Sequence, residues 1–354
     1  MRIGIPREIK ILEGRVALNP AAAGELVKHG HEVFIESNAG KISGYSDQDY
    51  IDAGLRVLPT AAELYGQSQL IVKVKEPHAD ELALLRADHL VFSFLHLAAA
   101  PALMKKLMDI GLTAVAFETV TDADGRLPLL APMSDIAGRL AVQIGSNLLF
   151  HYTGGRGVLL GGLPAAERGR VVILGAGNAG SNAAAMAAGM GAEVIVFDRK
   201  RDRLAAMRNI GANVTGLYPF AEAIRTEVQS ADLVIGAVLI TGQQAPHLVD
   251  ADTVRGMRAG SVIVDISVDQ GGCIETTRPT DYENPTFIWE DVVHFGVTNM
   301  PGAVPRSATQ ALSAALVPYI LRLTQPDWEQ APDLAAGINV KAGKLVYPGL
   351  EQYL

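Results

Sequence analysis

The chain reads as an α/β protein built from two doubly wound, mainly parallel sheets. Three observations carry that expectation: a length of 354 residues, short β-rich runs alternating with helical ones, and a second strand series that starts past residue 170. One hydrophobic core stops growing before this length, so two domains are expected. Apolar residues are 49% of the chain and aromatic ones 6%, a composition able to bury a core and unlike that of a disordered chain.

In the first series, RIGIP (2–6), EVFIES (32–37), LIVKVK (70–75), LVFSFLH (90–96) and TAVAFE (113–118) read as strands. Helical patterns fill 20–30, 59–67, 80–87 and 100–111, an alternation that implies a parallel sheet covered on both faces. LPLLAPMSD (127–135) is a connector at a domain boundary, and either Ser134 or Asp135 can cap the helical run 136–152. TGGRGVLLGGLP (153–164) sets apolar residues between glycine pairs and reads as a projecting hairpin, with a flexible loop as the plainer alternative. The second series is VVILG (171–175), EVIVFD (193–198), a weak NVTGLY (213–218), DLVIGAV (232–238), SVIVDIS (261–267) and VVHFGVT (292–298). A last helix covers 308–324, and the residues after it are polar and turn-rich.

A net charge of −8 argues against nucleic acid or an anionic membrane as the main partner. The single cysteine, Cys273, excludes an internal disulfide and fits a reducing compartment. MRIGIPREIK carries charges where a signal peptide needs an apolar core, and no apolar run reaches membrane-span length, so a cytoplasmic protein is expected.

VVILGAGNAGSN supplies G-x-G-x-x-G as Gly175, Gly177 and Gly180, after an all-apolar run and at the head of an alanine-rich helix. Glycines there permit a tight turn, close approach of backbone to a pyrophosphate, and tight packing of helix on strand, with helix N–H groups aimed at the anion. Asp198, eighteen residues past Gly180 at the end of the next strand, would bind a ribose and repel a 2′-phosphate, which favours NAD. Arg199, Lys200 and Arg201 behind it read as a solvated basic turn, though they could soften the bias against NADP.

In the first series Arg15 follows the first strand, Lys75 closes the third, His96 the fourth and Glu118 the fifth. Parallel strands would gather all four at the carboxyl edge of one sheet, where open α/β sheets bind ligands. Asp269 and Asn299 follow strand ends of the second series, so the two domains are expected to face each other across a cleft. Plainer readings stand beside these: surface cations for Arg15 and Lys75, a core histidine for His96, local pairing for Glu118, a turn with Gly271 and Gly272 for Asp269. The other seven histidines show no H-x-x-x-H spacing and none is assigned to a metal. Cys273 reads as a small packed residue.

EGRVALNP, KVKEP, FLHLAA, PLLAPMS, GGRGVLLGG, ILGAGNAG, IGAVL, VDISVDQGGC and VTNMPGAVP together resemble the alanine dehydrogenase family over essentially the whole chain. The resemblance implies two Rossmann-like domains, a nucleotide domain (134–305) inserted into a discontinuous substrate domain (1–133 and 306–354), with hinges near Ser134 and Ser307. It implies NAD-dependent, reversible deamination of L-alanine to pyruvate and ammonium. By matched motif, Arg15 binds the substrate carboxylate, Lys75 binds substrate, His96 is the acid/base and Asp269 is the catalytic aspartate. Glu118 joins the substrate group from its strand-end position, and Met133 touches substrate and ring. Cofactor contacts fall on Ser134, Gly175, Gly177, Asn178, Ala179, Gly180, Asp198, Val238, Leu239, Asp269 and Asn299. A hexamer is implied, aided by the GGRG segment. Asn178 stands where a threonine is frequent, and the end at LEQYL suggests a shortened terminal segment. Rival readings are the NAD-binding component of a proton-translocating transhydrogenase, a dehydrogenase of another amino acid, and an NAD-sensing regulator.

Overall fold

The computed structural model describes residues 1–239 and 245–354. The chain separates into two compact units, Met1–Met133 with Gly302–Leu354, and Ser134–Pro301.

From the N-terminus the elements are β1 (Arg2–Ile5), α1 (Pro20–Lys28), β2 (Glu32–Glu36), α2 (Asp47–Asp52), β3 (Arg56–Leu58), α3 (Ala61–Gln67), β4 (Leu70–Val72), α4 (Ala79–Leu82), β5 (Leu90–Ser93), α5 (Pro101–Ile110), β6 (Thr113–Ala116) and α6 (Ala131–Leu148). Then follow β7 (Arg170–Leu174), α7 (Asn178–Gly189), β8 (Glu193–Phe197), α8 (Arg201–Met207), β9 (Val214–Leu217), α9 (Ala221–Ser230), β10 (Leu233–Gly236), α10 (Ala251–Arg255), β11 (Val262–Asp265), β12 (Thr286–Trp289) and β13 (Val292–Phe295). The chain closes with α11 (Pro305–Leu323), α12 (Pro332–Gly337), β14 (Ile338–Lys341) and β15 (Lys344–Leu345). Local chemistry explains several starts: Asn19 caps α1 by accepting from the Ala22 N–H ahead of Pro20, and Ser46 with Asp49 forms a capping box on α2.

The first unit holds a sheet ordered β15-β14-β6-β5-β4-β1-β2-β3, and the second one ordered β12-β13-β11-β10-β7-β8-β9. Both are parallel at their centres, as expected. β10 and β11 pair in parallel with fully buried apolar residues facing both ways, the pattern of a strand covered on both faces.

The antiparallel edges were not foreseen. β12 and β13 are joined through Glu290 and Asp291, both with left-handed backbone (φ 47° and 60°). β14 and β15 are joined through Ala342 and Gly343 (φ 46° and 76°). Two left-handed residues make the tight turn whose twist suits a hairpin. The usual sequence signal is Asn-Gly or Asp-Gly, so Glu-Asp and Ala-Gly conceal it. Segment 153–164 corrects the opposite way: its only bridge is Leu163 to Ala166 and no strand ladder forms. Gly154, Gly157 and Gly162 are left-handed, and Gly155 lies so close to the backbone of Leu148 and Leu149 that the chain folds back on the end of α6. The long connector helix begins at Ala131 rather than after Asp135, so Ser134 and Asp135 lie inside its first turns and do not cap it. Pro132, with its φ already helical, starts it early. α11 likewise opens at Pro305, and the pattern over 80–87 is helical only to Leu82.

Strands β4 and β5 end earlier than expected, and the reason organises the first unit. Lys73, directly after β4, is wholly buried. Its Nζ lies 3.0 Å from the Glu81 carboxylate and 3.3 Å from that of Glu8. Glu81 also accepts from the Tyr65 hydroxyl at 3.1 Å. Glu8 Oε1 accepts the Val74 N–H at 2.6 Å and Oε2 the Lys75 N–H at 3.3 Å. A side-chain carboxylate thus takes the N–H groups that a ladder would otherwise use. Burial drives the Glu8 carboxyl upward against the pull of Lys73. Burial alone would depress the Lys73 ammonium, but Glu8 and Glu81 outweigh it and the net shift is upward.

A raised ammonium pKa means the pair's stabilisation is complete below the unfolded value and is lost only as pH climbs through the folded one. Lys73→Met strands two buried carboxylates and should cost about 3–5 kcal/mol in urea unfolding. The cost should be larger at pH 8 than at pH 5, where the stranded Glu8 carboxyl, already raised by burial, can take up a proton. A cost that does not change with pH would rule out an ionic origin.

Candidate active site

β6, β5, β4 and β1 are consecutive, parallel neighbours, so the loops after them leave the same edge of the sheet. These loops carry Glu118, His96, Lys75 and Arg15 respectively. Hydrogen bonds sew adjacent loops together: Glu8 links those after β1 and β4, the Phe94 N–H donates to the Val74 carbonyl at 3.1 Å, and Glu118 links those after β5 and β6.

Arg15 is buried, its side chain only 2% exposed. Its Nε donates to Glu13 Oε1 at 2.7 Å, its Nη2 to Glu13 Oε2 at 2.5 Å, and its Nη1 to the Met133 sulfur at 3.2 Å. The fork is therefore held rigidly along one edge by a buried carboxylate. Lys75 is also buried, with Nζ 3.6 Å from Glu76 Oε2. Glu76 makes a closer pair with Lys10 at 2.7 Å. Although burial opposes it, the two ammonium groups of Lys75 and Lys10 bring the Glu76 carboxyl down to about 2.

His96 differs in kind. Its side chain is 42% exposed, its backbone is left-handed (φ 47°, ψ 42°), and its ring stacks parallel to Phe94 with centroids 5.7 Å apart. Phe94 packs edge-on against the buried Phe117. Glu118, in a single 3-10 turn after β6, faces the His96 loop.

In the second unit the three glycines of the turn between β7 and α7 have three different causes. Gly175 has φ 104°, and a Cβ there would sit 2.6 Å from the Ala237 carbonyl oxygen. At Gly180 a Cβ would run into the Gly175 carbonyl, so α7 could not pack on β7. Gly177 has an ordinary φ of −75°, and the nearest atom to an added Cβ is Arg203 Nη1 at 3.7 Å. The protein itself gives no reason for glycine at 177, whereas a pyrophosphate drawn against the backbone would. Gly177 is the N-cap of α7, and Asn178 and Ala179 open the helix, so its first N–H groups are oriented for an anion. Gly138 of α6 leaves room for the Ala179 carbonyl, and the Asn182 amide of α7 donates to Asp135 at 2.9 Å. Ser134 stands one residue before Asp135 on the same helix.

Asp198, just past β8, accepts the Ala176 N–H at 2.9 Å and the Lys200 N–H at 2.7 Å, and Arg203 lies 3.4 Å away. Its carboxylate is thereby tied to the glycine turn. Arg199, Lys200 and Arg201 are exposed, and the cation beside Asp198 is Arg203, which the sequence reading passed over. These features fit an adenine dinucleotide: Gly175–Gly180 would hold the pyrophosphate and Asp198 the ribose.

After β10, the Ser267 hydroxyl donates to the Val238 carbonyl at 2.8 Å and accepts the Val238 N–H at 3.0 Å, fixing the peptide before the exposed Leu239. The wholly buried Asp265 accepts N–H bonds from Ser267 and Cys273, each at 2.9 Å, and burial pushes its carboxyl up. Cys273 is buried against it, and that burial, then the Asp265 charge, pushes the thiol far up, which suits a packed residue rather than a nucleophile. Asp269 is exposed in the 3-10 turn after β11, and its Oδ2 receives the N–H of left-handed Asn299 (φ 62°) at 3.4 Å.

Glu8, Glu13, Glu81 and Asp265 escaped the sequence reading. Each is a buried carboxylate, and a lone acidic letter in a sequence carries no mark of burial. The one available signal was the first lysine in IVKVKEP, since Lys73 in so apolar a run demands acidic partners. Among the described residues no group of three or more His, Cys, Asp or Glu could hold a metal ion.

Two family models match nearly the whole chain: alanine dehydrogenase/PNT, N-terminal domain, over residues 4–137, and alanine dehydrogenase/PNT, C-terminal domain, over residues 141–348. Alanine dehydrogenase of Mycobacterium tuberculosis is 47% identical, over 98% of this chain and 95% of its own. That of Halomonas elongata is 46% identical with the same coverage. A solved L-alanine dehydrogenase superposes with a TM-score of 0.95 at 50% identity, covering 100% of this chain and 99% of its own. A transhydrogenase from Sinorhizobium meliloti gives 0.85 at 26% identity, covering 98% and 99%. With both models matched, relatives near half identity along the full length, and a glycine turn built for a dinucleotide, the chain belongs to the alanine dehydrogenase/PNT family.

Proposed function

We infer that the protein is an NAD-dependent alanine dehydrogenase that converts L-alanine, NAD⁺ and water to pyruvate, ammonium, NADH and a proton, reversibly. The observation that carries this is a pre-oriented guanidinium, a buried ammonium and an accessible imidazole on loops from one edge of a single sheet. The names of its near relatives support it. The transhydrogenase reading is not favoured, since identity to that protein is half of that to L-alanine dehydrogenase.

When bound, NAD⁺ supplies a hydride acceptor at its nicotinamide ring. Arg15, held on its Nε and Nη2 edge by Glu13, binds the alanine carboxylate, with the Met133 side chain against it. Lys75 donates to the carbinol or carbonyl oxygen. Once the alanine ammonium has given up one proton to solvent, loss of hydride from the α-carbon leaves an iminium, and water adds to that carbon while His96 accepts its proton. His96 Nδ1 lies 3.9 Å from Glu118 Oε1. With that proton returned to nitrogen the C–N bond breaks, and the carbinol O–H proton passes to the departing nitrogen, so the carbonyl forms and ammonium leaves. Asp269, oriented by the Asn299 N–H, balances the positive charge of the iminium. Ser134, the Val238–Leu239 backbone and Asn299 complete the cofactor contacts. We propose in addition a cytoplasmic location and a hexameric assembly. No described helix is long and apolar enough to cross a membrane. The exposed Tyr152, Leu159 and Leu163 offer apolar surface for association, and light scattering should give six times the chain mass.

His96→Ala should lower kcat by about 10²–10⁴-fold, the range for a lost acid/base group, with NADH affinity by fluorescence unchanged. Near wild-type turnover would remove His96 from the chemistry. Asp198→Ala frees Arg203 and removes the charge that repels a 2′-phosphate, so the kcat/KM ratio of NADPH to NADH should rise by about tenfold or more, equivalent to ~1.4 kcal/mol. An unchanged ratio would deny Asp198 its ribose role.

A further inference from the structure

We propose that Glu118 is a positioning residue for His96 and makes no contact with substrate; this rests on the acid/base role inferred for His96. Glu118 Oε1 accepts the His96 N–H at 2.6 Å and the Leu95 N–H at 3.2 Å, while Oε2 lies 3.3 Å from the Leu95 nitrogen. Both oxygens therefore face backbone N–H groups of the loop that carries the imidazole. The loop needs such a partner. His96 holds a left-handed conformation that only glycine adopts freely. Once β5 ends at Ser93, the N–H groups of Leu95 and His96 have left the strand ladder, and a carboxylate delivered from the neighbouring strand's end takes them.

The acceptor is itself fixed. Phe117 before it is wholly buried, and the Thr119 hydroxyl after it lies 3.2 Å from the carbonyl of Ala116 and 3.2 Å from that of Gly337. Phe94 links the two ends of the device, stacking on the His96 ring and packing edge-on to Phe117. The clamp thus sets both the backbone of His96 and the plane of its imidazole. Strain of this sort persists only where surrounding contacts over-determine it, and it collects at sites that must be pre-organised.

The test uses the full chain with Glu118→Leu, Glu118→Gln, His96→Gly and the Glu118→Leu/His96→Gly double variant. Leucine removes every acceptor, whereas glutamine keeps one carbonyl oxygen. Glu118→Leu should lower kcat for reductive amination by about 10²-fold, the low end of an acid/base loss, while KM for pyruvate moves by less than about threefold. Glu118→Gln should recover about tenfold or more of that loss. In thermal unfolding, Glu118→Leu should lower the midpoint less in the His96→Gly chain than in the wild type, because glycine at 96 needs no clamp. A raised KM with unchanged kcat would make Glu118 a substrate contact and overturn the proposal. Equal midpoint shifts in the two backgrounds would overturn it too. If the wild-type chain oxidises no NADH with pyruvate and ammonium, the inferred activity fails alone, and the unfolding comparison still decides the clamp.

Discussion

A wholly buried ammonium dictates the architecture of the first unit. Lys73 is enclosed where β4 gives way to a loop, and two carboxylates drawn from elsewhere, Glu8 and Glu81, make its charge tolerable. Burying three ionised groups is a poor route to stability, since their desolvation roughly cancels their attraction. What the arrangement secures is geometry. Glu8 cannot neutralise Lys73 without also lying against the N–H groups of Val74 and Lys75, so the ion network fixes the course of the loop that carries Lys75. The β1 loop that supplies Glu8 also leads to Glu13 and Arg15.

The same device recurs along that edge. A strand that stops leaves N–H groups with nothing to donate to, and here each stop is met by a carboxylate from an adjacent loop: Glu8 at Val74 and Lys75, Glu118 at Leu95 and His96. Glu13 performs the equivalent task on a side chain, gripping one edge of the Arg15 guanidinium. Arg15, the Lys75 loop and the His96 loop are thus each held by a carboxylate. Little remains to be ordered when substrate arrives, which is the condition for binding energy to serve the transition state.

The second unit uses backbone where the first uses charge. Gly175 and Gly180 are required by φ and by helix packing, and Gly177 by neither, so the turn is shaped for an anion at the start of α7. Asp198 is bound to that turn through the Ala176 N–H, coupling the ribose position to the phosphate position. Asn299, like His96, holds a left-handed backbone beside a candidate reactive group, Asp269.

Periodicity and strand-end placement made much of this legible. The strand and helix alternation, the glycine turn with Asp198, and the row Arg15, Lys75, His96 and Glu118 could be read in order along the chain, because hydrophobic period and turn chemistry are local properties. The two antiparallel hairpins could not, since Glu290, Asp291 and Ala342 occupy left-handed positions that their side chains disfavour and only packing imposes. Nor could the partners of the reactive residues. Glu8 meets residues 66 and 67 positions away, and Glu118 meets a loop 22 and 23 positions earlier. A linear chain names the groups that must be neutralised or capped; which distant carboxylate does so depends on strand order, and strand order is settled only when the sheet closes over its core.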